Sequence, residues 1–259
     1  MIVAALYDPV SPFGSNFFRS LFRPGPVLYS ALCVLALIAA FLLLFILVSL
    51  WERQYLAGAV EPATEPYPAP PPPYWLATRA DAIKLELRPA GDFVTKKKAP
   101  FVKGLLSLFI SPDHTVIASI FASTGLKKTV LRTKLATGRI VESTDNGGIE
   151  DMSGVVDRAL LLNAGIAELM EFHKQRLQKS GSTALAFNPN AVLAGLEQME
   201  LEKGARWVLM GLARWADPQH TSIRMTFRGA LANVRFLFRQ MAKLKGQQHR
   251  THIRRAGAN

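Results

Sequence analysis

The sequence predicts an α+β protein: one N-terminal transmembrane helix, a proline-rich linker, an antiparallel β-meander and then C-terminal helices. Three observations carry that prediction. Residues 27–51 contain no charge, no glycine and no proline. Seven prolines fall between Pro62 and Pro73. Beyond them, short β-branched and aromatic runs separated by turn signals give way to helical periodicity.

The chain has 259 residues, 49% of them hydrophobic, and a net charge of +12. A short tail, residues 1–26, precedes the apolar run. A hydrocarbon core about 30 Å thick needs about 20 apolar helical residues, so residues 27–51 suffice, with some tilt. Pro24 and Pro26 stand where prolines start helices at little cost. Trp51 and Tyr55 mark the far edge, and Phe17, Phe18 and Phe22 the near one, as suits a water–lipid boundary. A cleaved signal peptide competes, with Ala57-Gly58-Ala59 as its cleavage site. The apolar core is long for one, and the 26-residue leader is bulky. Arg19 and Arg23 before the segment outnumber Arg53 after it, which places the N-terminus in the cytoplasm and the large domain outside. The expected location is a single-pass protein of a bacterial inner membrane.

Residues 52–78 read as a linker. Consecutive prolines fix φ and remove backbone donors, so polyproline II is expected at about 3.1 Å per residue. A single soluble domain, residues 79–245, follows. Thr78 to Asp81 fits a capping box before a short helix. Residues 101–110, 115–122, 129–135 and 139–144 read as four strands, the last pair a hairpin with Gly138 supplying positive φ. Asn163 is a candidate cap for a helix bearing Ile166, Leu169, Met170 and Leu177 on one side. A second helix opens at Asn188-Pro189 and carries Val192, Leu196 and Met199. Residues 206–215 read as a further apolar helix, in the core or at the lipid interface. The last helix is expected from Thr221 or Ser222. Its apolar stripe is Ile223, Phe227, Leu231, Val234, Phe238 and Met241. Residues 246–259 read as a disordered basic tail.

Charge is concentrated at the C-terminus. No acidic residue follows Asp217, yet nine basic ones do: Arg224, Arg228, Arg235, Arg239, Lys243, Lys245, Arg250, Arg254 and Arg255. The first four are spaced to align along one helical strip. A basic amphipathic helix suits anionic headgroups, at about 1 kcal/mol per basic residue near a negative leaflet, or an acidic protein partner. The competing reading is a core helix whose outer face is merely solvated. Nucleic acid also demands clustered cations, but aromatic residues are not interleaved as a stacking platform. Lys96-Lys97-Lys98 reads as a solvated strand edge.

Chemistry is sparse. The one cysteine, Cys33, lies inside the apolar run, so neither an intrachain disulfide nor a cysteine zinc site is expected. Walker, GxGxxG, GxSxG and HExxH patterns are absent. His249 and His252 lack a third ligand. Glu150 and Asp151, and His173 on its helix, are the residues an acid–base site would use. No catalytic residue, cofactor or metal is therefore assigned. The reading is a membrane-anchored interaction or scaffold module. The alternatives are a membrane-tethered nucleic-acid binder and a membrane-anchored enzyme.

Overall fold

A computed structural model describes residues 26–63, 71–96, 104–123, 125–146, 151–236 and 238–239. The chain divides into two compact units, Met1–Leu47 and Val48–Asn259. The described part of the first is helix α1, Pro26–Trp51, whose last residues belong to the second unit. Within its Tyr29–Trp51 portion an 18-residue stretch has a mean hydropathy of 3.3 and none of that stretch is buried. At 1.5 Å per residue the helix is about 39 Å long. By length and composition it can cross a membrane.

The second unit is built on a seven-stranded sheet. Its strands are β2 (Val60–Pro62), β3 (Arg88–Thr95), β4 (Gly104–Ile110), β5 (Ile117–Ser123), β6 (Leu126–Lys134), β7 (Ile140–Thr144) and β8 (Val156–Leu160). They lie side by side in chain order. Every pairing is antiparallel except β7–β8, which is parallel. Gly138, at φ +80°, closes the β6–β7 turn, where its N–H donates to the Leu135 carbonyl at 2.9 Å.

Helices cover both faces of this sheet. On one lie α2 (Pro73–Lys84) and α3 (Ile166–Ser180), where Trp75, Ala82, Leu169 and Met170 pack on Leu105, Phe109, Ile120 and Leu131. On the other lies α4 (Val192–Leu209), where Val192, Leu196 and Met199 pack on Leu108, Ile110, Ile117 and Ile140. Alternate residues of one strand thus serve opposite cores. That is why β4 reads as the nearly continuous apolar run GLLSLFI, broken only by Ser107, rather than as an alternation. Burying each such side chain contributes about 1.5–3 kcal/mol.

A second sheet has three strands in the order β1 (Arg53–Tyr55), β10 (Ser222–Met225), β9 (Ala213–Trp215), all antiparallel. Its inner face supplies Ile223, Met225 and Ala213 to a third core with Leu56, closed by Leu201, Trp207 and Val208 of α4. Gly204 of α4 admits Leu56, since a Cβ there would overlap the Leu56 Cδ1 atom. The segment that follows α1 is in this way keyed into the domain.

Several expectations need correction. The compact unit that holds the sheets begins at Val48, not at residue 79. The supposed linker, 52–78, contributes β1, β2 and the first half of α2, because Gln54, Leu56 and Trp75 find partners that an isolated polyproline spacer lacks; only 64–70 lie outside the described residues. Residues 206–215 are not one helix: α4 ends at Leu209, Gly211 turns at φ +69°, and β9 follows. The last helix does not begin at Thr221 or Ser222. Those residues bond to Asp217, and 222–225 are a strand in which Ile223 and Met225 alternate inward. Helix is regained at residues 227–236, continues at 238 and 239, and is called α5. The helices are therefore not gathered after the sheet, since β8, β9 and β10 fall among them. Of the expected cap positions, Gly165 and not Asn163 caps α3, Asn163 having φ +57°.

Candidate functional site

The surface with the most to offer is built from β1, β9, β10 and α5. Thr226 starts α5: its Oγ1 accepts the Gly229 N–H at 3.1 Å, an N-cap bond, and donates to the Gly211 carbonyl at 2.7 Å. Gly229 then passes so close to β9 that a Cβ would sit 1.8 Å from the Leu212 carbonyl oxygen. Small residues thus dock α5. Ala230 and Val234 are buried beside Gly229, whereas Phe227 (65%), Leu231 (53%) and Phe238 (47%) are exposed.

The stripe is thereby split: Ile223 and Val234 are buried, Phe227, Leu231 and Phe238 are exposed, and Met241 lies outside the described residues. Phe227, Leu231 and Phe238, expected to pack inward, face out, and arginines run alongside them. Arg228, Arg235 and Arg239 are all exposed and run about 80° round the helix from the line of Phe227, Leu231 and Phe238. A concavity of about 750 Å³ along this face is lined by Leu231, Val234 and Phe238 with Arg228, Arg235 and Arg239. Leu209 (78% exposed) and Met210, next to Gly211, add apolar surface. Of the nine basic residues marked by the sequence, Arg224, Arg228, Arg235 and Arg239 are placed here. Lys243, Lys245, Arg250, Arg254 and Arg255 lie outside the described residues, as do Lys97, Lys98, Glu150, His249 and His252.

Two residues that the sequence reading missed join this surface. Arg53 stands opposite Arg224, and Arg224 opposite Arg214. Directly opposed residues share a face, so the outer face of the small sheet bears a row of three arginines. Arg53 donates to Ser222 Oγ at 2.7 Å and to Asp217 Oδ2 at 3.0 Å, and stacks over Tyr55. Hydrogen bonds from Ser222 and Thr221, together with Arg53, hold Asp217 well below the usual carboxylate range. No local pattern could have marked Arg53 or Arg214, because β1 and β9 are three residues each and meet only through β10.

The interior holds two further polar clusters. Glu142 of β7, 1% exposed, pairs with Arg132 (2.9 Å) and Arg158 (2.5 Å) on the α4 side of the sheet. Arg132 also meets Glu200, which bonds Lys203. Burial would raise the Glu142 pKa, but Arg132 and Arg158, aided by Lys128 and Lys203, hold it below the carboxylate range. Lys128 pays for the crowding: burial and the neighbouring cations bring it down to about 8 against the pull of Glu142.

On the opposite face His173 is wholly buried between Ser143 (Nδ1 to Oγ, 2.9 Å) and Thr133 (Nε2 to Oγ1, 3.0 Å). Arg176 donates to the same Ser143 Oγ at 3.0 Å. One assignment satisfies all three: Ser143 donates to Nδ1, and Nε2–H donates to Thr133. Burial, reinforced by Arg176, brings the imidazole down to about 3, so it is neutral at physiological pH. His173 therefore completes the buried stripe of α3 with Ile166, Leu169 and Met170. The side chain of Asp151 is spent on Ser153. Among the described residues no three metal-ligating side chains cluster.

The His173 pKa implies a pH dependence. Its folded value lies below the ordinary 6.5, so below that pH the unfolded chain takes up a proton the native chain refuses. Stability contributed by the neutral ring is full above pH 6.5 and declines as pH falls, by about 1.4 kcal/mol per unit. Thermal melts between pH 6.5 and 5 are expected to show a falling Tm, and His173→Gln is expected to flatten that slope.

Compared with protein-family models, with curated proteins and with solved structures, the chain matches none.

Proposed function

We propose that this is a single-pass membrane-anchored interaction module whose C-terminal helix rests on anionic lipid. The observation that carries the reading is a strand pairing. β1 starts two residues beyond Trp51, the end of the apolar helix, and pairs with β10, which runs through Thr226 into α5. In an anchored chain that pairing starts the cationic helix beside the residue that leaves the bilayer. Its outward apolar line flanked by arginines has the form of a helix lying in an interface. The balance of Arg19 and Arg23 against Arg53 assigns the N-terminus to the cytoplasm and the domain to the other side, where the helix meets anionic lipid of the non-cytoplasmic leaflet; a cytoplasmic domain would favour the lipid contact more strongly.

The test uses the full chain in lipid nanodiscs, with hydrogen exchange read over residues 227–239. Exchange is expected to be at least about tenfold slower in discs containing phosphatidylglycerol than in discs of phosphatidylcholine alone, as three contacts of about 1 kcal/mol each would allow. Arg228→Glu/Arg235→Glu/Arg239→Glu is expected to erase the difference. Equal exchange of the wild type in both discs would contradict the reading.

A further inference from the structure

We infer that Arg53, Arg224 and Arg214 bind the phosphate groups of anionic phospholipids in the bilayer that holds α1. The inference rests on the anchored reading above. It adds a second contact on a different element, with a defined ligand chemistry.

The argument begins with register. Arg53, Arg224 and Arg214 occupy one rung across three strands, so neighbouring positions are about 4.8 Å apart. Like charges directly opposed in a ladder are destabilising. A solvated sheet face gains nothing from such an arrangement unless an anion spans it. Only Arg53 has an acidic partner, Asp217; Arg214 and Arg224 are exposed and have none among the described residues. With Asp217 ionised, the row keeps two uncompensated guanidinium groups side by side. Each is a planar fork that donates two parallel N–H bonds to phosphate oxygens.

Position then selects the source of the phosphate. Arg53 lies two residues past Trp51, at most about 7 Å along the chain. Two strand spacings bring Arg224 and Arg214 within about 12 and 17 Å of the same residue. Trp51 itself is 86% exposed, as suits a ring at the membrane–water boundary. The headgroup layer is about 5–8 Å deep on each side of the hydrocarbon. For the anchored chain, lipid phosphates are thus the anions that chain connectivity holds nearest to this row, beginning at Arg53.

The experiment is native mass spectrometry of the full chain released from phosphatidylcholine discs doped with phosphatidylglycerol. It is run beside the exchange measurement over residues 227–239 in the same discs. The wild type is expected to retain phosphatidylglycerol in preference to phosphatidylcholine. Arg214→Gln/Arg224→Gln is expected to cut that retention by at least about tenfold, while exchange over residues 227–239 stays slowed. Arg224→Gln alone gives an intermediate loss. Added glycerol phosphate is expected not to displace the lipid; displacement would assign the row to free phosphate and overturn the lipid assignment. Retention equal in wild type and variant overturns the row, whatever the helix does. Equal exchange over 227–239 in the two disc types overturns the anchored-helix reading instead, so the two failures are told apart.

Discussion

Glu142→Ala lowers the melting temperature of the detergent-solubilised chain by about 6–20 °C. The carboxylate is the common partner of Arg132 and Arg158, and both guanidiniums are largely withdrawn from water. Removing one member of a buried ionic cluster costs about 3–5 kcal/mol, because the cations left behind lose their compensation. A domain of this size loses about 2–4 °C per kcal/mol. Lys203 and Lys128 add to the penalty, since Glu142 offsets their repulsion too. Glu142→Gln keeps the volume and one of the two acceptor oxygens, since Arg132 and Arg158 bond different ones, so it is expected to fall between wild type and Ala. Differential scanning fluorimetry reads both. A shift of Glu142→Ala under about 2 °C would mean that the cluster is not closed as described.

Gly229→Val detaches α5 while leaving the sheets intact. A Cβ at this position meets a main-chain oxygen, not a side chain that can swing aside. The helix must withdraw from β9, which breaks the Thr226 bonds to the carbonyls of Gly211 and Leu212 and uncovers Ala230 and Val234. Exchange over residues 227–236 is expected to rise by at least about a hundredfold, the loss of roughly 3 kcal/mol of local protection. β4 and β5 keep theirs. Ala at the same position gives a smaller change of the same kind. Unchanged exchange over 227–236 in Gly229→Val would show that α5 is not docked through this glycine.

The parts of the fold that sequence makes legible are those with strong local signals. Helix α1 is apolar on every side and is announced by its composition. Strands β4 and β5 bury both faces, so their apolar runs are dense, and a turn glycine, Gly138, separates the two strands that follow. The small sheet is illegible for the opposite reason. Its strands are three or four residues long and come from positions 53, 213 and 222, too short for periodicity to register. The stripe on α5 was visible but ambiguous. A helix facing lipid and a helix facing a core share the same period, and only the docking of Gly229, Ala230 and Val234 decides which line turns outward. Thr221 and Ser222 resembled a helix start because they follow the break at Asp217-Pro218; in the fold the Asp217 carboxylate serves the turn into β10. The Glu142 cluster was hidden in a strand whose partners lie between 10 and 61 residues away. His173 offered no local carboxylate and proved to be a core residue held by two hydroxyls.

The most direct test of the account is alkaline carbonate extraction of membranes from cells expressing the full chain, with the mass of the product determined in each fraction. The account predicts the intact 28.5 kDa chain in the membrane pellet, because α1 stays in the hydrocarbon when surface electrostatics are stripped away. Release of the intact chain into the supernatant, or a soluble product shortened near Ala57–Ala59, would contradict it.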